Sequence, residues 1–296
     1  MVIWSSFKGG IRKVWGNKLL ALILFAFKLF FAILLLIPAY YMFARTFSFS
    51  PSSINFLKGY DFFLLVDFLS LWSKGISLYW VYFLTIVLIS AFSYIFFSGG
   101  LWGGLYQSLR EGKQKFNGEK FFGDCGRYFG SFLKIFFFII IVYILAFFFA
   151  LLIFSLIHTL AGKELSFASH ILILIFELLI LAILFMWVGM WSNYLRIYRI
   201  FFEEKKLIRI LKPSLGFIFR NFGKTILLYY LLSVILVGTL IVYLGLNKIL
   251  HLLPANKFPV IFLFILYQLQ SFFRSFYKLV YYSSHMVLFD KLYELK

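Results

Sequence analysis

The sequence is poor in the residues that solvate a protein surface and in those that crosslink a fold. Only 14% of its 296 residues are charged, and it has one cysteine and five prolines. A soluble domain has about a quarter of its residues charged. In this chain, where 63% of the residues are hydrophobic, the charged share is too small to cover the surface of a soluble domain of this size. The single cysteine, Cys125, excludes an internal disulfide and a cysteine-rich metal site. The bilayer is therefore the expected solvent.

The sequence also lacks the common catalytic signatures. It contains no G-x-S-x-G elbow, Walker loop, dinucleotide fingerprint or paired acidic motif. The glycines around Trp102 (Gly99, Gly100, Gly103 and Gly104) are not followed by the Lys-Ser/Thr of a phosphate loop, so they predict close helix packing. We therefore expect a protein that is not an enzyme and that holds no cofactor.

Long apolar runs are what the chain has in abundance. A helix needs roughly 20 apolar residues to cross the hydrocarbon core. Six segments meet this length: Leu19–Phe43, Ser77–Phe97, Ile135–Ile157, Ile171–Trp191, Thr225–Leu246 and Phe258–Tyr282. They are apolar at every position rather than at alternate ones, which favours helices over barrel strands. The sequence predicts an all-α, polytopic membrane helix bundle in which residues 1–296 form a single integral membrane domain.

The distribution of Lys and Arg predicts the orientation. Of the 29 basic residues, 22 lie before the first crossing, between the second and third, between the fourth and fifth, or near the carboxyl terminus. By the positive-inside rule, these segments and both termini face the cytoplasm of a prokaryotic cell (plasma) membrane. The net charge of +18 is spread over short segments beside anionic lipid, so nucleic-acid binding is not expected.

The three cytoplasmic connections before the odd-numbered crossings resemble one another. Each has an aromatic residue, then Gly or Arg, then Asn or Ser, in 12–17, 126–131 and 216–221. The second and fourth crossings end in Gly100-Leu101-Trp102 and Gly189-Met190-Trp191, with a weaker echo at Ser284-His285-Met286. This pattern indicates three repeat units, approximately 1–104, 105–200 and 201–296. Each unit is predicted to be a helical hairpin preceded by a basic amphipathic interfacial helix.

These interfacial helices have apolar residues at helical spacing with cations between them. Phe7, Ile11 and Val14 exemplify the apolar face in the first unit. Such helices lie in the headgroup plane with the basic face toward anionic lipid. The candidates for headgroup contact are Lys8, Arg12, Lys13, Arg127, Arg209, Lys212 and Arg220. Alternatively, they only satisfy the positive-inside bias and the length of the connection.

Ionisable groups inside a crossing are unfavourable unless paired, which makes them functional candidates. Glu177 and Lys28 are predicted to lie at similar depths, so we expect an ion pair between the first and fourth crossings. The pair is either structural or part of a site for an ion or a headgroup. Gln270, Arg274 and Lys278 share one face of the sixth helix, continued by His285. Arg274 either snorkels to the inner surface or lines a polar crevice that holds a phosphate.

Three histidines fall near outer helix ends: His158, His170 and His251. They are weak candidates for a metal site, because catalytic zinc can use three histidines, but no H-E-x-x-H run supports this. The outer connection also carries Asp61 and Asp67, which with these histidines are the candidate catalytic groups for a lipid-processing enzyme.

The aromatic, glycine-containing basic segment Gly126-Arg127-Tyr128-Phe129-Gly130-Ser131-Phe132 resembles that of a group of six-helix prokaryotic membrane proteins. This group includes the membrane domain fused to some bacterial glycerophosphodiester phosphodiesterases. The resemblance implies an integral membrane module that associates with lipid and does not catalyse a reaction, since the motifs of the phosphodiesterase barrel are absent.

Three functions remain open at this point. The first is a non-enzymatic scaffold or accessory subunit that contacts anionic lipids, and a membrane or cytoplasmic protein partner, through its basic face. The second is a small transporter or channel with a polar path through Glu177, Lys28 and Arg274. The third is the membrane-embedded lipid-processing enzyme.

Overall fold

The computed structural model describes residues 2–47, 76–112, 116–161, 167–251 and 257–294. All regular structure within these ranges is helical. The helices are α1 (Val2–Gly16), α2 (Lys18–Phe47), α3 (Ile76–Arg110), α4 (Gly118–Ala161), α5 (Phe167–Phe201), α6 (Leu207–Arg220), α7 (Phe222–His251) and α8 (Lys257–Glu294). The prediction of an all-α fold is confirmed for the described residues.

Five of these helices are long and apolar enough to span a membrane. The qualifying stretches are Lys18–Pro38, Val81–Arg110, Gly118–Thr159, Ser169–Phe201 and Phe222–Ile249. A multi-pass membrane protein is thus confirmed in this coarse form. The predicted sixth crossing falls in α8, which has a greater share of polar residues and is less apolar than the other five helices.

Two of the three predicted interfacial helices are separate from the crossing that follows. The break after α6 is at Asn221, whose backbone N–H and side-chain amide both donate to the Phe217 carbonyl, at 3.0 and 3.1 Å. Asn17 occupies the same place after α1, and its N–H donates to the Val14 carbonyl. Asparagine favours helix ends because its side chain competes for backbone hydrogen bonds.

The prediction of a separate interfacial helix is wrong for the second repeat unit. There the amphipathic segment runs into the crossing without a break, as the 44-residue helix α4. Ser131 stands where the other units have asparagine, and its hydroxyl accepts a hydrogen bond from Arg199 Nε at 2.8 Å instead of ending the helix.

The chain divides into two compact units. Unit 1 comprises Met1–Ala21 and Ile95–Lys296, and unit 2 comprises Leu22–Tyr94. Within unit 2, the Tyr82 hydroxyl donates to the Leu34 carbonyl at 3.1 Å, and the rings of Phe27 and Tyr94 are 6.2 Å apart. This division does not follow the three predicted repeat units, which remain a prediction.

The best-packed part of unit 1 is where the basic segments meet. We call it the basic end and define it as residues 2–21, 98–112, 116–132, 188–222 and 277–293. The last turns of α3, α5 and α8 contact one another there through aromatic rings. Trp102 stacks on Tyr282 with ring centroids 4.5 Å apart, and Phe201 lies 4.9 Å from Tyr106 and 5.0 Å from Phe289. The hydrophobic core of unit 1 is therefore at one end of its helices.

Glycines allow the backbones to approach closely at this end. A Cβ atom on Gly100 would lie 2.6 Å from the Cys125 sulfur, and one on Gly10 would lie 2.8 Å from the Ser284 backbone nitrogen. Only a residue without a side chain fits such crossings. The prediction that the Gly99 to Gly104 segment serves close helix packing is confirmed.

Helix α1 buries its apolar face against protein, which differs from the expected contact with lipid alone. Phe7 and Val14 are buried, and α1 packs along the last turns of α8. Trp4 and Trp15 lie at the edges of this face and are exposed. Because tryptophan favours the membrane interface, these two rings are suited to contact headgroups.

Candidate functional site at the basic end

The predicted headgroup cations separate into exposed and protein-bound groups. Lys8, Arg12, Lys212 and Arg220, on α1 and α6, have exposed side chains and take part in no ion pair between the described residues. Lys13 is instead partly buried, and its Nζ donates to the Ser108 carbonyl at 2.6 Å. A cation there offsets the negative end of the α3 helix dipole. Lys13 thus joins α1 to α3 and is not available to lipid.

Two more of the candidates pair with the acidic residues that follow α5. Arg127 Nη2 lies 2.6 Å from Glu203 Oε2, and Arg209 Nη1 donates to Glu204 Oε2 at 3.3 Å. Glu204 Oε1 also accepts the backbone N–H of Lys206 at 3.0 Å. This backbone hydrogen bond, followed by the bond from Arg209, lowers the pKa of the Glu204 carboxyl. The short 202–206 connection is therefore held to α4 through Arg127 and to α6 through Arg209.

A buried polar cluster lies between α5, α7 and α8. The Tyr194 hydroxyl and His285 Nδ1 are 3.2 Å apart, and both side chains are fully buried. Asn193 Nδ2 donates to the Tyr281 hydroxyl oxygen and to the Gly189 carbonyl, each at 3.0 Å. Burial lowers the pKa of His285 from 6.5 to about 3, so the ring is neutral at physiological pH. The cluster thus consists of neutral side chains.

Of this cluster, the sequence pattern singled out only His285. Tyr194, Asn193 and Tyr281 were missed, although a polar Ser192-Asn193 pair directly after an apolar run is a signal that could have found them. His285 and Arg274 do not share an environment, since Arg274 is exposed and His285 is enclosed. The helix periodicity placed them on one face correctly, but α8 is surrounded by protein only near its end.

Gln270, the first residue of the predicted polar stripe, lies at a different site. It lines a cavity of about 420 Å³ between α7 and α8 together with Val242, Leu266 and Phe273. Its Nε2 atom is buried and has no hydrogen-bond partner among the described residues. Lys278, further along the stripe, is half-buried. The stripe therefore does not form one continuous polar crevice in the described part of the chain.

Glu177 is buried in the α4 and α5 region, and its neighbour is a histidine. Oε1 of Glu177 lies 3.0 Å from His158 Nε2, although the angles are outside those of a hydrogen bond. Lys28 belongs to unit 2, so its predicted ion pair with Glu177 stays a prediction. The contact with His158 was not anticipated, because the two residues belong to different helices and share no local spacing pattern.

The metal candidates do not assemble in the described part of the chain. No group of three His, Cys, Asp or Glu side chains there could hold a metal ion. His158 contacts Glu177, and His170 is exposed. The side chain of His251 and the whole of Asp61 and Asp67 lie outside the described residues.

The most unusual cation of the basic end is Arg199. Its side chain is only 2% exposed, and its guanidinium carbon lies 5.2 Å from the centre of the Tyr128 ring. Nε donates to Ser131, whereas Nη1 is buried with no partner among the described residues. In the sequence, Arg199 contributes only to the positive-inside bias. The signal that could have indicated a site is its Arg-x-x-Arg spacing with Arg196.

No family model, no curated protein and no solved structure matches the chain.

Proposed function

We propose that the chain is a non-enzymatic, six-helix protein of a prokaryotic plasma membrane that serves as a scaffold or accessory subunit. Its basic end contacts anionic lipids and a protein partner on the cytoplasmic side, with both termini on that side. The proposal is supported by the five apolar helices and by the concentration of basic residues in the segments that form the basic end.

Contacts between consecutive helices support the arrangement as three hairpins. Tyr143 of α4 lies 5.2 Å from Phe185 of α5, ring to ring, while Arg199 near the end of α5 reaches back to Ser131. In the same way, α8 follows α7 from Tyr267 to Tyr281. Because α8 accompanies a spanning helix over this length, it is the sixth crossing in the proposed topology.

Recurring contacts also support the three-unit repeat. The interfacial segment of each unit packs against the last turns of a preceding crossing. The segment before the third crossing lies on α3 through Gly100, and α6 lies on α5, where Trp191 Nε1 donates to Ser214 Oγ at 3.0 Å. In the same way, α1 of the first repeat unit lies on the last turns of α8 of the third repeat unit, through Gly10.

The observation that carries the lipid proposal is the division of cations within the basic end. Lys13, Arg127 and Arg209 are bound to protein atoms, although Arg127 and Arg209 are also exposed. Lys8, Arg12, Lys212 and Arg220 are exposed and take part in no ion pair between the described residues. A cation near an anionic membrane surface contributes about 1 kcal/mol of attraction. Exposed Trp4 and Trp15 beside these cations suit the same interface.

The test uses the full-length chain in lipid bilayers with spin-labelled phosphatidylglycerol or phosphatidylcholine. We expect the protein to associate preferentially with phosphatidylglycerol and to lose this preference as salt increases. In a variant with Lys8, Arg12, Lys212 and Arg220 all changed to Gln, this preference should fall sharply. A matched variant with Lys13→Met controls for loss of a cation that is not exposed. A fourfold variant that keeps the full preference would refute the proposal.

The alternatives have weaker support. A transport path through Glu177, Lys28 and Arg274 needs these groups to line one polar route, but Glu177 lies against His158 and Arg274 is exposed. A lipid-processing enzyme would use the outer histidines or Asp61 and Asp67. His158 lies against Glu177 and His170 is exposed, while Asp61, Asp67 and the His251 side chain lie outside the described residues.

A further inference from the structure

Three arginines meet two stacked aromatic rings where α4 and α5 reach the basic end. The guanidinium carbons of Arg127 and Arg199 lie 5.7 and 5.2 Å from the centre of the same Tyr128 ring. Arg196 lies 6.0 Å from the centre of the Phe132 ring, which stacks on Tyr128 at 5.9 Å. We call Arg127, Arg196 and Arg199 the arginine cluster. The three guanidinium carbons thus lie 5.2 to 6.0 Å from the centres of these two stacked rings.

The cluster is short of hydrogen-bond acceptors. Arg199 is almost wholly buried, yet its Nη1 has no partner among the described residues, and neither has Nε of Arg196. Among the ion pairs between described residues, the one that involves an arginine of the cluster is that of Arg127 with Glu203. A buried charge without an acceptor is unfavourable, so the site is suited to an anion from outside the chain.

Glu203 is the carboxylate in direct contact with this cluster, while Glu204 also acts electrostatically on Arg199, and Asp124 on Arg127. Glu203 pairs with Arg127 at 2.6 Å, and its negative charge also acts on Arg199. Its backbone φ is 51°, in the left-handed region that residues other than glycine rarely adopt. Its side chain is 58% exposed, so it can move away without opening the core. A strained residue that holds a displaceable charge is typical of a binding site.

We propose that the arginine cluster binds a phosphate group and that Glu203 occupies its outer side until that group arrives. The planar guanidinium donates two parallel hydrogen bonds, which match the oxygens of a phosphate. Arg196 and Arg199 follow the predicted fourth crossing, which ends at Trp191, by five and eight residues. This places them about 8 to 12 Å beyond the apolar stretch, at the level of lipid headgroups. The inference rests on the proposed function, in which this end of the protein faces anionic lipid.

The test measures phosphate-lipid retention by the full-length chain in detergent, using native mass spectrometry. The probes are phosphatidylglycerol, phosphatidic acid and inorganic phosphate. Arg199→Gln should weaken retention of the phosphate probe about tenfold, because one guanidinium fork is lost. Glu203→Gln should strengthen it about threefold, because the internal competitor is neutralised. Lys248→Gln, which changes an exposed lysine of α7 outside both the cluster and the basic end, should leave it unchanged.

The two sources of phosphate are separated by competition. If the site takes a lipid headgroup, millimolar inorganic phosphate leaves the retained lipid in place; if it takes free phosphate, inorganic phosphate binds alone and displaces the lipid. Either result supports the site. Equal retention by the wild type, Arg199→Gln and Glu203→Gln for every probe would overturn it. If Arg199→Gln does not fold, Glu203→Gln decides, since Glu203 makes no buried contact.

This outcome is independent of the general lipid preference. The fourfold variant at the exposed cations leaves the cluster intact, so it should keep the tightly retained phosphate probe while losing the preference in bilayers. Arg199→Gln should do the reverse. If the fourfold variant keeps the preference in bilayers, the general lipid proposal fails. If Arg199→Gln keeps the retained phosphate probe, the proposal for the arginine cluster fails.

Discussion

The basic end and the membrane-spanning stretches of the same helices differ in how the chain packs. In the most apolar part of each of the five spans, only 11% to 22% of the residues are buried. At the basic end, by contrast, α8 is buried at every position from Tyr282 to Phe289. A helix that is buried on all sides is surrounded by other protein. The core that holds unit 1 together is therefore concentrated at the basic end and not along the most apolar part of its spans.

The physical reason lies in the solvent that each region meets. Within hydrocarbon, apolar side chains gain little by leaving lipid for protein, so helices can expose Leu and Phe without cost. At the polar boundary, rings such as Trp102 and Tyr194 are removed from water when they pack together, and the hydrophobic effect acts again. This difference predicts that mutations at the basic end have much larger effects than matched mutations in the spans.

The largest effect should come from the aromatic centre of the basic end. Trp102→Ala removes a fully buried ring that stacks on Tyr282, so we expect a loss of about 3–5 kcal/mol in unfolding free energy. Phe148→Ala removes a lipid-facing ring of α4 and should cost less than about 0.5 kcal/mol. Denaturation in mixed detergent micelles, followed by tryptophan fluorescence or circular dichroism, measures both. Equal losses would show that the spans contribute as much core as the basic end.

A smaller effect should appear on acidification. The pKa of His285 is lowered from 6.5 to about 3 in the folded state, so the unfolded chain binds a proton more readily. Stability is then fully retained above pH 6.5 and falls as the pH drops toward 3, by up to about 1.4 kcal/mol per pH unit. At about pH 5 the loss is about 2 kcal/mol. His285→Gln should remove this part of the pH dependence.

The measurement for His285 is the same denaturation repeated between about pH 5 and 8. The matched control is Met286→Leu, which changes the buried residue next to His285 without altering a titratable group and should leave the slope of stability against pH unaltered. If wild type and His285→Gln keep parallel curves across this range, the buried ring does not control acid sensitivity.

The sequence predicted the spans well because their signal is local. A run of apolar residues long enough to cross hydrocarbon carries its own evidence. The end of α4 at Ala161 and the start of α5 at Phe167 each lie four residues from the predicted bounds. Asn17 and Asn221 likewise indicate helix ends through short-range hydrogen bonds. The continuous α4 could not be predicted in the same way, because Ser131 resembles them in polarity but bonds to Arg199, which is 68 residues away.

The site was less predictable because contacts between distant helices decide it. Similar depth suggested Lys28 as the partner of Glu177, and this pair stays a prediction, because depth does not specify which helices are neighbours. Within unit 1, His158 is the residue that contacts Glu177. Arg199 and Arg220 look alike in the sequence, since each follows an aromatic or apolar run. One is buried on Tyr128 and the other is exposed, a difference that only the packing of α4 against α5 creates.

The smallest effect separates two lysines of one short helix. Lys13 donates to the carbonyls of Ser108 and Leu109 in the last turn of α3, whereas Lys8 is exposed with its Nζ 5.4 Å from the centre of the Trp4 ring. Lys13→Met leaves those carbonyls without their cation and should cost about 1 kcal/mol of stability, while Lys8→Met should cost a few tenths at about the level of a surface cation–π contact.

The same denaturation measures this difference, and salt provides the second readout. Because the carbonyl contacts are partly buried, the contribution of Lys13 should persist in high salt, whereas the small contribution of Lys8 should vanish. If the two variants show the same salt dependence, α1 is held to α3 by its overall charge and not by the Lys13 contact. Lys13 would then be wrongly assigned to the protein-bound cations.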